Sequence, residues 1–392
     1  VIGCGPAGAS AAITLARAKW RVTIIEARAF PRSKVCGEMI SPAGHAALAC
    51  ALGWGDDPSE WNRRALAIGA RVVHTICLQA RVGPATPSRA AWRTSDPSWS
   101  IGRTRLDTLL RDAARSAGAT IVQPATVRAV SYADDRVRVT LGDGRELEGA
   151  IVVHADGSGR HDPAGSVPHR RTLLGAKCHI ALDAGTREDL RGRVLMCAAP
   201  GAYLGVVEIE GSLATCALVA RTALVRAHDG DMDALARTIW PTLATQRREG
   251  PWLTCPVARS RFVEPGHWRS FRVGNAAGAV DPVGGEGIGL ALWAGVALGR
   301  VLGGFSSRGH DAPGDDRAWL RRAGAALSGA YRARLRARRW ACRAGAEALM
   351  RPRLARAALP AAGLLLGPWL RLIGKHADGA IGPGSGHARA RA

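Results

Sequence analysis

The chain has 392 residues, a mass of 41.1 kDa, 47% hydrophobic and 22% charged residues. That is chain enough for two or three domains' worth of core, and it excludes a disordered tail or a collagen-like protein. The formal charge of +22 is almost wholly arginine, since lysine occurs only at Lys19, Lys34, Lys177 and Lys375. It reads as a composition bias. No aromatic-interleaved basic motif accompanies it, so nucleic acid is not an expected partner.

The uncharged run from Ala357 to Leu370 falls short of the ~20 residues a membrane span needs and contains Pro360 and Pro368. The opening uncharged run to Ala16 has no basic flank and is broken by glycines, unlike a signal peptide. The nine cysteines form no C-x-x-C pair, which predicts reduced thiols, no metal site and a cytoplasmic location.

In chain order, Val1-Ile2 reads as the end of a buried strand whose first residues are missing, followed by a turn at Gly3. An alanine-rich helix then runs to about Lys19, and Arg21 to Glu26 is a short apolar strand. Strand-like residues return from Leu66 to Val82, and Thr104 to Ala117 is helical with Leu106, Leu109 and Leu110 on one face. Strands are predicted at Ile121-Val122, Val127 to Tyr132, Val137 to Leu141 and Ala150 to His154, with a hairpin at Asp143-Gly144. Leu173 to Val219 alternates like an antiparallel sheet, turning at Glu210-Gly211. Asp231 to Arg247 is helical until Pro241 interrupts it. A strand at Phe271 to Val273 leads through a glycine-rich turn to a long apolar helix from about Gly287, and an arginine-rich helical segment follows Arg317.

Two segments carry chemistry. Gly3-Cys4-Gly5-Pro6-Ala7-Gly8 is a G-x-G-x-x-G between strand and helix. Gly3 permits the tight turn, Gly5 the approach of a pyrophosphate, and Gly8 close packing of helix on strand, while the helix N-terminus offers free amides to phosphate. Glu26 stands where an acid should hold the ribose hydroxyls. The second segment runs from Val273 through Gly274-Asn275-Ala276-Ala277-Gly278 and Asp281-Pro282-Val283-Gly284-Gly285-Glu286-Gly287-Ile288. A strand end, a proline-glycine loop and an uncharged helix start would set amides and a positive helix end beside a planar ligand.

Together these segments resemble the FAD-dependent oxidoreductases of the p-hydroxybenzoate hydroxylase fold. Within them the chain looks most like the geranylgeranyl reductase branch, with monooxygenases and flavin-dependent halogenases as neighbours. The branch's G-D-A-A-G-x-x-D-P-x-x-G-E-G-I block is followed from Gly274 to Ile288, and its C-G-E segment by Cys36-Gly37-Glu38 with Ser41-Pro42. Arg103, Leu106, Asp107 and Leu110 match R-x-x-L-D-x-x-L, and Ala155-Asp156-Gly157 matches the A-D-G signature. The resemblance implies an α/β fold: a Rossmann-like FAD domain (1–65, 100–165, 256–315), an inserted antiparallel substrate sheet (66–99, 166–255) and a C-terminal helical cap with a basic tail (316–392).

It also implies FAD held by Gly3, Gly5, Pro6, Ala7 and Gly8, with Glu26, Ala27, Arg28 and Val127 on the adenosine side. Arg103 would lie near the phosphates or ribityl chain. Asp156 and Gly157 would support the cofactor loop, and Gly274, Asn275 and Ala276 would follow the ribityl chain. Pro282, Gly285, Glu286, Gly287 and Ile288 would run along the flavin ring, and Cys36 and Gly37 would face its other side. Cys36 and Glu38 are the candidate catalytic residues, Glu38 as a proton donor tuned by burial. His45 and His179 read as structural or exposed, and the tryptophans from Trp92 to Trp99 as ordinary core or surface, with the lining of an apolar pocket as the alternative. The family's aspartate is Asn275 here, which keeps an acceptor oxygen and loses the charge.

No second G-x-G-x-x-G marks a nicotinamide domain, so NAD(P)H, a partner reductase or a ferredoxin would serve as transient electron donor. The expected activity is reduction of a C=C bond in a small apolar, isoprenoid-like substrate. The alternatives are a monooxygenase or a non-catalytic FAD-binding protein, and the absence of a W-x-W-x-I-P motif weighs against a halogenase. The basic C-terminal segment reads as a cap with a solvated arginine face. Its alternative is a peripheral contact with the inner membrane face.

Overall fold

The structure, a computed structural model, describes residues 1–81, 87–157, 173–257, 262–306, 316–358 and 369–373. The predicted basic tail lies outside them, as do most of the Ala357–Leu370 run and Val82 at the end of its predicted strand. Among the described residues no helix is long and apolar enough to cross a membrane, and no group of His, Cys, Asp or Glu is placed to hold a metal.

Helix α1 (Pro6–Arg17) starts with proline at its first position, where the missing N–H costs nothing. Strand β1 (Thr23–Ile25) and the short β2 (Met39–Ile40) follow, then helices α2 (His45–Leu52) and α3 (Pro58–Ala67). Next come β3 (Arg71–Ala80), β4 (Ser88–Ser100), α4 (Arg103–Ser116), β5 (Thr120–Val122), β6 (Val127–Tyr132), β7 (Val137–Leu141), β8 (Glu146–Gly149) and β9 (Val152–His154). The middle of the chain gives β10 (Leu173–Ala181), α5 (Ala184–Leu190), β11 (Arg193–Ala199), β12 (Ala202–Glu208), β13 (Leu213–Arg221), α6 (Thr222–Arg226), α7 (Met232–Ile239) and β14 (Arg247–Pro256). The chain closes with β15 (Ser270–Arg272), α8 (Gly287–Ser306), α9 (Asp316–Leu349) and α10 (Pro352–Ala358).

A parallel layer is built from both ends of this order. β1 pairs with β5, β9 with β15, and Ile2 bridges Ile25 on one side and His154 on the other. The strand that begins the chain is therefore the central one, as in a doubly wound nucleotide-binding sheet. Helices α1 and α8 cover it at very close range, because a Cβ on Gly295 would fall 2.1 Å from Ser10 Oγ and one on Gly299 2.1 Å from Thr14 Oγ1.

The second layer is an eight-stranded sheet in the order β14-β10-β13-β12-β11-β3-β4-β2, parallel only where β11 meets β3. One face is sealed by Leu190 of α5 and by Met232, Leu235 and Ile239 of α7 over Cys178, Leu204, Val206 and Leu218. The other face looks toward residues 34–38 and 281–283.

The structure sharpens three sequence expectations. Leu66 lies in the last turn of the helix α3 rather than opening a strand. The tryptophan-bearing stretch is the long strand β4, and Trp99 is core, stacked on His45 at 3.5 Å with its Nε1 donating to Asn62 at 2.8 Å. The helix begun at Asp231 stops at Ile239, because Pro241 starts a 3-10 turn, and Arg247 already opens β14.

Candidate cofactor cleft

At the first loop, Gly3 has φ +96°, and a Cβ there would stand 2.7 Å from the Ala155 carbonyl oxygen. A Cβ on Gly8 would lie 1.9 Å from the Gly3 oxygen, so the turn closes only with glycine at both ends. The space above Gly5 is faced by the Nη2 atoms of Arg32 and Arg103, 3.7 and 3.8 Å from its Cβ position. Two guanidinium groups and the open N-terminus of α1 thus converge where a pyrophosphate would lie, with Pro6 and Ala7 buried beneath.

Glu26 is buried at the end of β1. Its Oε2 accepts from the Cys4 amide at 2.8 Å and from Arg32 at 3.3 Å, and its Oε1 from the Arg28 amide at 3.1 Å. The loop and the acid are therefore tied together. Ala27 and Arg28 are exposed beyond it, and Ala27 lines a shallow cavity with Thr126 and Gly142, backed by half-buried Val127.

Arg103 at the start of α4 grips buried Asp107 with two bonds of 2.7 Å, and Arg32 reaches the same carboxylate at 3.2 Å. Burial alone would lower the Arg103 pKa, but Asp107, helped by Cys36, more than reverses this and locks its positive charge. Asp156 is half-buried, and Gly157 (φ +86°) would push a Cβ to 3.0 Å from Lys34 Nζ. Lys34 therefore closes the near side of the same cleft.

Glu38 is fully buried with φ +55°. It accepts from the Arg103 amide at 2.6 Å and from His179 Nε2 at 2.8 Å, and also binds Lys177 Nζ and Thr215 Oγ1. Burial pushes its pKa up, yet the His179 bond, the Lys177 charge and the Arg103 amide prevail and bring it down to about 2. The sequence expectation of Glu38 as a proton donor is thereby corrected. It is a carboxylate with every oxygen engaged, a positioning group at neutral pH. Because an ionised carboxylate only accepts, His179 Nε2 carries a hydrogen. Half-buried Cys36 accepts the Glu38 amide at 3.3 Å, and exposed Gly37 has open space above it.

At the second loop, Gly274 has φ +61°, and a Cβ on it would stand 2.8 Å from Ala7 Cβ, so the two glycine segments touch. Its amide donates to Tyr331 Oη at 2.7 Å. Ala276 and Ile288 are buried, whereas Asn275, Pro282 and Gly287 are exposed along one rim. Gly285 makes the left-handed turn (φ +63°), and buried Glu286 faces Arg338 Nε at 3.4 Å. Asp281 Oδ1 accepts from the Val283 amide at 3.1 Å and from Tyr203 Oη at 2.8 Å, which ties this loop to β12. Burial, first, raises the Asp281 pKa. Gly37 and Gly287, with nothing inside 4 Å of their Cβ positions, are open as a flat ring would require.

The sheet face opposite is graded. Cross-strand partners Thr215, Val207 and Val194 form a buried row, and Val219, Tyr203 and Ala198 another. Between them Ala217, Gly205, Met196 and Leu78 pair in register and stay half-exposed. This is an apolar trough floor one residue wide, ending at Lys177, the partner of Ala217. Sequence reading assigned no role to Arg32, Lys34, Lys177, Thr215, Tyr203 or Tyr331. Arg32 and Lys34, both beside the C-G-E segment, were the ones a local charge signal could have shown.

No family model matches the chain. It is 30% identical over 326 residues to the menaquinone reductase of Mycobacterium tuberculosis, covering 77% of this chain and 75% of that protein. It is also 30% identical over 328 residues to the menaquinone reductase of Mycolicibacterium smegmatis, with the same coverages of 77% and 75%. The structure superposes on the halogenase PltM in complex with FAD with a TM-score of 0.73 at 16% identity, over 95% of this chain and 81% of that one. A triple mutant of the flavin-dependent brominase Bmp2 gives 0.74 at 16% identity, over 96% and 94%. At such low identity these neighbours show the fold, an α/β architecture of the FAD-binding halogenase and monooxygenase type.

Proposed function

Because the chain belongs to the flavin-dependent oxidoreductase family that includes the mycobacterial menaquinone reductases, we propose that it saturates a C=C bond of an apolar, isoprenoid-like lipid. FAD fits the cleft: Gly3 and Gly8 close the turn, Gly5 leaves room for a pyrophosphate, Arg32 and Arg103 face it, and the glycines at 37 and 287 leave room for a ring. In this reading residues 1–65, 100–165 and 256–315 hold the cofactor, 66–99 and 166–255 the substrate, and 316–392 cap them. NAD(P)H or a partner reductase or ferredoxin serves as donor.

The observation that carries the substrate class is the trough floor of Ala217, Gly205, Met196 and Leu78. It offers no charged side chain except Lys177, which is spent on Glu38. A hydrocarbon chain loses nothing there, whereas a polar substrate would leave its groups unpaired. Lipids of the kind named for the mycobacterial relatives suit that floor.

Reduced FAD, when bound, supplies the hydride. The chain's own groups orient the alkene and supply the accompanying proton. His179, with 21% of its side chain exposed, stands at the trough end held by Glu38 through Nε2. Nε2–H stays on Glu38, so in this reading Nδ1 is the atom that gives the proton to the second alkene carbon and recovers one from water.

The test is anaerobic. Enzyme loaded with FAD and reduced with dithionite is mixed with a polyprenyl lipid, and the product is weighed. A gain of two hydrogens without oxygen supports the reading. A product formed only with oxygen and heavier by one oxygen atom would establish the monooxygenase reading instead. A flavin that dithionite cannot reduce would leave a non-catalytic FAD-binding protein.

A further inference from the structure

Between Asp316 and Glu347 the chain carries nine arginines and no acidic residue. The long helix α9 sorts them. Arg334 turns inward, with Nη2 3.2 Å from the Ala43 oxygen and its guanidinium 4.6 Å from the Trp293 ring centre. Arg338 faces Glu286, and Arg332 pairs with Glu264. Arg336 and Arg343 are exposed, one turn before and one turn after Trp340. Trp340 is 76% exposed, more than any other large apolar side chain described, and Ala333, Ala337 and Ala344 are exposed around it.

The neighbouring segments extend that patch. Trp369 Nε1 donates to the Ala341 oxygen at 3.0 Å, so residues 369–373 lie along the same turns of α9. They present Leu372, 45% exposed, beside exposed Arg371, and α10 presents Leu354, 52% exposed, beside exposed Arg353 and Arg356. The inner side of this segment is apolar too. Leu349, Met350 and Ala355 pack in one cluster with Leu78 and Met196, two residues of the trough floor.

We propose that the C-terminal half of α9, with α10 and residues 369–373, is a docking surface for an anionic phospholipid bilayer. A tryptophan and two leucines ringed by arginines match the headgroup boundary: the apolar groups enter the acyl margin and the guanidiniums meet lipid phosphates. Charge complementarity selects the occupant, since exposed Arg336, Arg343, Arg353, Arg356 and Arg371 outnumber the one described acid of the patch, Glu347, which pairs with Arg351. A nucleic acid would need aromatic rings aligned along a basic groove, and here one indole stands among aliphatic side chains. The bilayer surface would then lie across a single short segment from the trough floor.

The full-length FAD-loaded protein is floated with vesicles of phosphatidylcholine alone or with one-third phosphatidylglycerol. Binding to the anionic vesicles only, lost in high salt, is expected. Trp340→Ala should lower the partition about tenfold, and Arg336→Gln with Arg343→Gln about thirtyfold, with thermal midpoints matching the parent. Equal binding to both vesicle types, or anionic binding that both variants retain, overturns the proposal. Retention of single-stranded RNA with no vesicle binding overturns it as well. The readout is partition and not turnover, so its failure leaves the reductase reading untouched.

Discussion

Tyr331 Oη accepts the Gly274 amide hydrogen at 2.7 Å, so a side chain of α9 holds the turn that opens the second glycine segment. The hydroxyl and the amide are both buried, and the ring packs edge-on against Trp293 with centres 5.3 Å apart. Removing the hydroxyl strands a buried N–H, which costs about 1–3 kcal/mol. Tyr331→Phe should therefore melt earlier and shed FAD faster on gel filtration, although Tyr331 lies outside both glycine segments. Unchanged melting and flavin retention would show the bond to be idle.

The Glu38 cluster makes stability depend on acid. Its carboxyl falls from an ordinary 4.5 to about 2 on folding, so the native state binds its proton less readily than the unfolded chain. The stabilisation, on the order of 3 kcal/mol, is complete above pH 4.5 and lost as pH drops toward 2. Glu38→Gln should flatten the stability curve across that window. At neutral pH it should cost about 3–5 kcal/mol by leaving Lys177 buried and unpaired. Adding Lys177→Met should recover much of the loss. Chemical denaturation from pH 2 to 7 reads all three, and an unaltered acid limb in Glu38→Gln would refute the assignment.

Asn275 stands exposed on the cleft rim where the resemblance calls for aspartate. Asn275→Asp would exchange a neutral hydrogen bond for a charge-assisted one, worth about 1–2 kcal/mol. Titration of apoprotein should show FAD binding about five- to thirtyfold tighter. Weaker binding would mean that the rim does not meet the ribityl hydroxyls.

Gly205 lies in the trough floor, and a Cβ there would already lie 3.3 Å from Met196 Sδ. Gly205→Leu should fill the trough, cut turnover of a polyprenyl substrate by about a hundredfold or more, and leave FAD content unchanged, since the residue lies in neither cofactor loop. Full activity in this variant would remove the trough from the substrate path.

What the sequence disclosed and what it withheld divide by distance along the chain. The glycine turns, Glu26 and the Arg103–Asp107 pair speak within one turn of strand or helix, so spacing reveals them. Lys177, His179 and Thr215 reach Glu38 across separations of 139, 141 and 177 residues. Sheet register brings them there, and register is invisible until the strands are paired. β4 escaped for another reason. It is poor in β-branched residues, and Pro97 lies in the irregular stretch where its pairing with β3 jumps from Ser98 to Arg93. The Glu38 proton-donor expectation failed on the same ground, because its neutralising lysine belongs to a remote strand.

The near-contact of α1 with α8 bears on how the protein is made. One wall of the cleft comes from residues 3–8, the opposite wall from 274–291, and the latch from Tyr331. A nascent chain therefore cannot enclose its cofactor while the ribosome is still translating the middle of the message, because the helix that closes over Ser10 and Thr14 has yet to appear. Coenzyme capture thus follows the synthesis of α8 and of Tyr331, and until then the first glycine turn must wait uncovered.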